Sequence, residues 1–181
     1  METRMLVRIA LMAALIGALG LVPPIFVPVL AGVPITAQNL GVMLAGLLLG
    51  ARGGAAATAL FALVVLLGAP LLTGGRGGLG VLAGPTVGFF LGFIPGAFVT
   101  GWLAERLRMR PFLSALAAAF AGGVLVVYLC GIPVLAGVAG IGLQRAALGS
   151  MVFLPGDVLK SMAAALLAST VLKAWRVSPR G

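Results

Sequence analysis

The chain has almost no acid. Three Asp and Glu residues stand against twelve Lys and Arg, there is no histidine, and only 8% of the 181 residues are charged. A soluble domain carries about 25% charged residues, so this is not one. Lack of histidine excludes His-based catalysis and the usual zinc sites, and the single cysteine excludes an intramolecular disulfide. That residue, Cys130, sits in an apolar run and reads as a small packing residue. No catalytic set, metal site or cofactor is expected, and the chain is not read as an enzyme.

What is present is apolar: 62% of residues are hydrophobic and the mean hydropathy is +1.25. The chain is therefore read as an integral membrane protein. Arg4 and Arg8 followed by an apolar run from Ile9 have the shape of a signal peptide. The hydrophobicity continues to Trp175, however, so the segment is read as a first transmembrane helix. A spanning helix needs about 20 mostly apolar residues. Six candidates lie at about 5–22, 36–51, 53–69, 83–105, 112–130 and 154–175, within a single membrane domain, 1–181, of all-α class. The second and third are parted only by Ala51-Arg52-Gly53-Gly54 and predict a tight helical hairpin. The breaks at 23–35 (with Pro23, Pro24, Pro28 and Pro34), 70–82 and 131–150 are rich in glycine and proline.

The basic residues predict an orientation. With six crossings and both termini in the cytoplasm, Arg4, Arg8, Arg52, Arg106, Arg108, Arg110, Lys173, Arg176 and Arg180 all lie inside, and only Arg76 and Arg145 fall in outer loops. This is the positive-inside pattern. The net charge of +9 is thereby a matter of topology, with anionic lipid headgroups rather than nucleic acid as its partner. The long neutral outer connections predict a cavity open to the outside, since irregular backbone at membrane depth is tolerated where it lines one.

The run Phe153-Leu-Pro-Gly-Asp157-Val-Leu-Lys160-Ser161 holds the one acid inside a long apolar stretch; Glu2 and Glu105 sit at ends of such stretches. A charge at mid-helix in lipid costs about 2.5–3.5 kcal/mol on insertion scales, and an intramembrane ionisable residue is a functional-site hypothesis by default. Asp157 and Lys160, three apart, share a helix face and can pair. Pro155 suits a helix start, which puts Asp157 near the positive end of the helix dipole. The bland reading is a bridge that only neutralises two misplaced charges. The functional one makes Asp157 an acceptor for ligand N–H groups, with Lys160 on Asp157 or on a ligand anion. The same run is not a phosphate loop, because Leu159 stands where the Walker pattern needs glycine before the lysine.

Gly74-Gly75-Arg76-Gly77-Gly78 and Gly84-Pro85-Thr86 allow close backbone approach to a ligand or a mobile lid; Arg76 attracts an anion or is a solvated loop charge. Thr36, Gln38 and Asn39 place three polar side chains at the start of the second helix. Thr36 is explained by capping, but amides facing lipid are costly. Ala10, Ala14 and Ala18 put small residues on one face of the first helix, which permits close helix approach.

In order, Pro34-Ile-Thr-x-Gln38, Gly41-Val-x-Leu-Ala-Gly-x-x-Leu-Gly50, Gly77-Gly-Leu-Gly-Val-Leu-x-Gly-Pro-Thr86 and Phe153-Leu-Pro-Gly-Asp-x-x-Lys160 resemble the BioY family, the biotin-specific substrate-binding (S) components of energy-coupling factor (ECF) transporters. The resemblance spans nearly the whole chain, and its last block is the most specific. It implies a six-helix S-component bundle in the bacterial plasma membrane that binds biotin near the outer face. It also implies docking on a transmembrane coupling subunit driven by two ATPase subunits, which hydrolyse ATP in this chain's place. The docking face would be that of Ala10 and Ala14. Asp157 and Lys160 match the family's pocket aspartate and lysine, and Thr36, Gln38, Arg76, Gly84, Pro85 and Thr86 complete the expected binding set. Two departures matter. The family's Gly-Pro-Thr block continues Gly-Gly-Tyr, whereas here Val87-Gly88-Phe89 follows, losing a hydroxyl. A pocket asparagine found after the third helix in some members is not matched by Thr73-Gly74-Gly75-Arg76. An S component for another vitamin, or a stand-alone secondary transporter using Asp157 as its ion site, are the competing readings. Self-association stays open.

Overall fold

The computed structural model describes residues 3–23, 25–26 and 34–177; Glu2, Pro24, Pro28, Arg180 and most of the 23–35 connection lie outside them. The chain is helical almost throughout. Helix α1 is Thr3–Leu19, α2 Gln38–Leu66, α3 Val87–Arg106, α4 Pro111–Phe120, α5 Val127–Ala139, α6 Leu143–Ser150 and α7 Leu154–Val177. Among the described residues one two-stranded antiparallel sheet forms, β1 (Ile25–Phe26) with β2 (Pro34–Ile35), between α1 and α2 in sequence. Among the described residues, four stretches are long and apolar enough to cross a membrane: Gln38–Leu66, Val87–Arg106, Pro111–Ala139 and Leu143–Ala174. With the distribution of apolar residues around them, they define a multi-pass membrane protein.

The first of these stretches is not one straight rod. Gly50 has φ 73° and ψ −176° inside it, a backbone state open to glycine at little cost, and the two arms fold back on each other there. A Cβ on Gly54 would stand 2.8 Å from the Gly46 Cα, although eight residues of straight helix span about 12 Å. The hairpin expected from Ala51-Arg52-Gly53-Gly54 therefore turns one residue earlier, at Gly50, and Gly53 and Gly54 are helical packing residues. The Glu105 carboxylate, at the end of α3, accepts a hydrogen bond from the Ala51 backbone N–H at 3.0 Å. It caps the new helix where an N–H would otherwise lack a partner.

The boundaries differ elsewhere too. Residues 131–150 are not an irregular outer loop: α5 runs on through Pro133 to Ala139, breaks at Gly140 (φ 65°), and α6 begins at Leu143. Helices in membranes tolerate Gly and Pro where neighbours pack against them, and a side chain at Gly131 would strike the Phe89 ring. Gly88, Gly92 and Gly96 form one face of α3, where added side chains would crowd Cys130, Val134, Val127 and the Gly122 carbonyl. Glycine there brings α3 and α5 into close contact, the usual device of membrane bundles. A π-helical segment, Ala121–Val126, joins α4 to α5. The expected helix at 83–105 starts at Val87, after a 3₁₀ turn at Leu79–Ala83.

Candidate binding site

The starts of α2, α3 and α7, the middle of the α4–α5 rod and the Leu71–Arg76 loop meet at one end of the bundle. Between them lies a cavity whose empty space, counted through its mouth into open solvent, is about 680 Å³. Phe90, Phe93, Val127 and Phe153 make its apolar wall, and Phe90 packs edge-on to Phe61 with centroids 6.3 Å apart. Three of its polar groups, Asn39, Tyr128 and Lys160, converge on Asp157.

Asp157 sits in the first turn of α7, where Pro155 occupies a position that needs no N–H donor. Its residue is only 4% exposed. Lys160 donates to its Oδ1 at 2.9 Å, one turn along the same face. Tyr128 donates to its Oδ2 at 2.7 Å from α5. Asn39 Nδ2 reaches Oδ1 at 3.5 Å from α2 and donates at 2.9 Å to the Gly123 carbonyl in the π-helical segment. A buried carboxylate is costly unless paired and hydrogen-bonded; here three helices supply the donors.

Gln38 lines the same cavity with a different task. Its Nε2 donates to the Leu71 and Ile16 carbonyls at 2.9 and 3.3 Å, and its Oε1 accepts from Thr73 N and Thr73 Oγ1 at 3.1 and 2.9 Å. An amide offers two donors and two lone pairs, so Gln38 has nothing left for a ligand and serves as a staple for the loop. Arg76, exposed at the rim, donates to the Thr73 carbonyl at 3.3 Å and to Thr86 Oγ1 at 3.4 Å. Thr36 lines the mouth and does not cap α2, whose N-cap is Ala37 without a side-chain bond.

Of the residues expected from sequence, Asp157, Lys160, Thr36, Gln38, Arg76 and Thr86 line the cavity, while Gly84 and Pro85 are half-buried just beyond it. Ala10 and Ala14 are exposed on α1, away from the cavity lining. Sequence reasoning missed Tyr128, the only tyrosine in the chain. A lone hydroxyl in an apolar helix was the signal, since a buried tyrosine O–H usually finds a partner. Thr73 was passed over for lacking an amide, and its part is to receive Gln38. Phe89 packs edge-on against Tyr128 with centroids 6.2 Å apart.

Fold and site together define a membrane-embedded protein with a mostly apolar cavity and one buried, anchored carboxylate in its wall. A profile of the BioY family matches residues 1–177. The chain is 52% identical over 188 residues to the biotin transporter BioY of Rhizobium etli, covering 99% of this chain and 98% of that one. It is 47% identical to the biotin transporter BioY of Rhodobacter capsulatus, covering 90% of each. The crystal structure of the S component for biotin of an ECF-type ABC transporter superposes with a TM-score of 0.87 at 31% identity, over 95% of this chain and 92% of that one. The chain belongs to the BioY family.

Proposed function

We propose that this chain is the biotin-capturing S component of an ATP-driven ECF vitamin transporter, and no enzyme itself. The observation that carries the reading is the buried Asp157 carboxylate, held by Lys160 and Tyr128 at the polar side of an aromatic cavity. Biotin has a ureido ring with two N–H donors, an apolar thioether ring and a carboxylate tail. The ureido group suits Asp157, the rings suit Phe90, Phe93 and Phe153, and the tail suits the exposed cation of Arg76 at the rim. Thr36 and Thr86 border the tail, while Gly84 and Pro85 shape the approach.

The same carboxylate argues against a stand-alone ion-coupled transporter. Its counter-cation is already covalently part of the chain, as Lys160 at 2.9 Å, so it is not an open cation site. Counting the Gly50 hairpin as two crossings, α4 to α5 as one and α6 to α7 as one, the single domain has six membrane segments with α1 and α3. The basic residues then put both termini in the cytoplasm of a bacterium, and the cavity opens outward. Partner subunits, a coupling protein and two ATPases, would engage α1 through Ala10 and Ala14.

The test is equilibrium binding of radiolabelled biotin to the purified protein in detergent, with thiamine and riboflavin as competitors. Retention of biotin unaffected by either competitor is expected. Failure to retain it would sink the assignment, and displacement by another vitamin would reassign the ligand.

A further inference from the structure

The hydrogen-bonding capacity around the cavity is unevenly used. Gln38 is full, and Asp157 already accepts from Lys160, Asn39 and Tyr128, three of about four lone-pair positions. Asn39 is the exception. It is 6% exposed and lines the cavity, both its bonds are donated by Nδ2, and its Oδ1 has no partner. A buried acceptor left unpaired is destabilising, and buried polar atoms in native proteins rarely stay so.

The orientation of this amide follows from its neighbours. Turning it over would set Oδ1 against the Gly123 carbonyl and the Asp157 carboxylate, two acceptors, and would lose both donated bonds. Asp157 and Gly123 thus hold Nδ2 and leave Oδ1 as the free acceptor. The Asn39 and Asp157 side chains touch, so two acceptors from different helices stand side by side in the cavity wall.

We propose that Asn39 is a ligand-contacting, specificity-determining residue: its Oδ1 accepts one ureido N–H while the remaining position on Asp157 accepts the other. This rests on the biotin reading. It requires the ring to carry both N–H groups, so a ureido nitrogen bearing a substituent is rejected. The site thereby selects the free vitamin over forms carrying a group on that nitrogen.

The experiment measures equilibrium binding of biotin and of its two singly N-methylated ureido forms to the full-length protein and to Asn39→Ala. The variant should bind biotin about tenfold or more weakly, the loss of one hydrogen bond to a buried acceptor. One N-methyl form should bind both proteins alike, because its partner on that side is already gone, while the other should lose the full factor. Should Asn39→Ala not purify as folded protein, Asn39→Leu, closer in volume, carries the same comparison. Unchanged biotin affinity in the variant overturns the proposal, as does an equal loss for biotin and both methylated forms, which would mark a purely structural role. Absence of biotin binding by the parent protein would overturn the biotin reading and this one with it; binding by the parent with an indifferent variant overturns this one alone.

Discussion

Tyr128 of α5 and Asp157 of α7 meet in the cavity wall, with the tyrosine hydroxyl donating to Oδ2 at 2.7 Å. The bond ties the buried carboxylate to a helix 29 residues away in sequence, so cavity geometry and bundle packing depend on each other. Tyr128→Phe removes one of the donors while the carboxylate stays buried. Hydrogen bonds to charged groups are worth about 1.5–3 kcal/mol. The unfolding midpoint of the ligand-free variant should fall and biotin should bind about tenfold or more weakly, read by thermal melts and equilibrium binding.

Asp157→Asn keeps the shape of the site but loses the negative charge that Lys160 and Tyr128 serve. Biotin affinity should drop at least about tenfold while the protein still accumulates, folded, in the membrane. Parent-like affinity in a binding assay would remove Asp157 from the binding set.

Gln38→Leu should act on kinetics. With its four bonds to Ile16, Leu71 and Thr73 gone, the loop over the cavity loses its anchor, and local opening becomes easier. Faster hydrogen exchange at the Thr73 amide is expected, with biotin dissociation accelerated about tenfold. A slower or unchanged dissociation rate would contradict the staple.

At the far end, Glu105→Ala removes the cap from Ala51, a loss typically of about 0.5–2 kcal/mol. Gly50→Ala should cost at least as much, because it forces a side chain into φ 73° and against Glu105. Both variants should melt earlier and bind biotin normally once folded.

Ala10→Trp and Ala14→Trp place bulk on the exposed face of α1, outside the cavity lining. If that face meets a coupling subunit, biotin binding in detergent should persist, while co-purification with the partner subunits and uptake in cells are lost. Intact assembly would move the docking surface elsewhere.

Much of this was legible in the chain. Charge scarcity and long apolar runs specify a membrane bundle because each uncompensated charge in lipid carries a penalty. An Asp–Lys pair three apart had to share a helix face wherever the helix lay. The misplaced element boundaries have one origin. Glycine and proline at 131–150 look like loop residues by composition, yet Gly131 is small because Phe89 packs there. Composition does not distinguish a glycine that bends the chain, such as Gly50, from one that admits a neighbour, such as Gly88 or Gly92.

The sequence by itself determined the class, the number of ionisable groups available to the site and the Asp157–Lys160 pairing, since these depend on local spacing and solvent transfer alone. Tertiary structure decided which polar side chains are fully bonded within the chain and which keep an unpaired atom at the cavity. Gln38 and Asn39 are adjacent amides, yet one is saturated by Ile16 and the Leu71–Thr73 loop and the other keeps an unpaired oxygen beside Asp157. Successive residues on a helix point about 100° apart, so their neighbours come from different parts of the fold, and only packing assigns them.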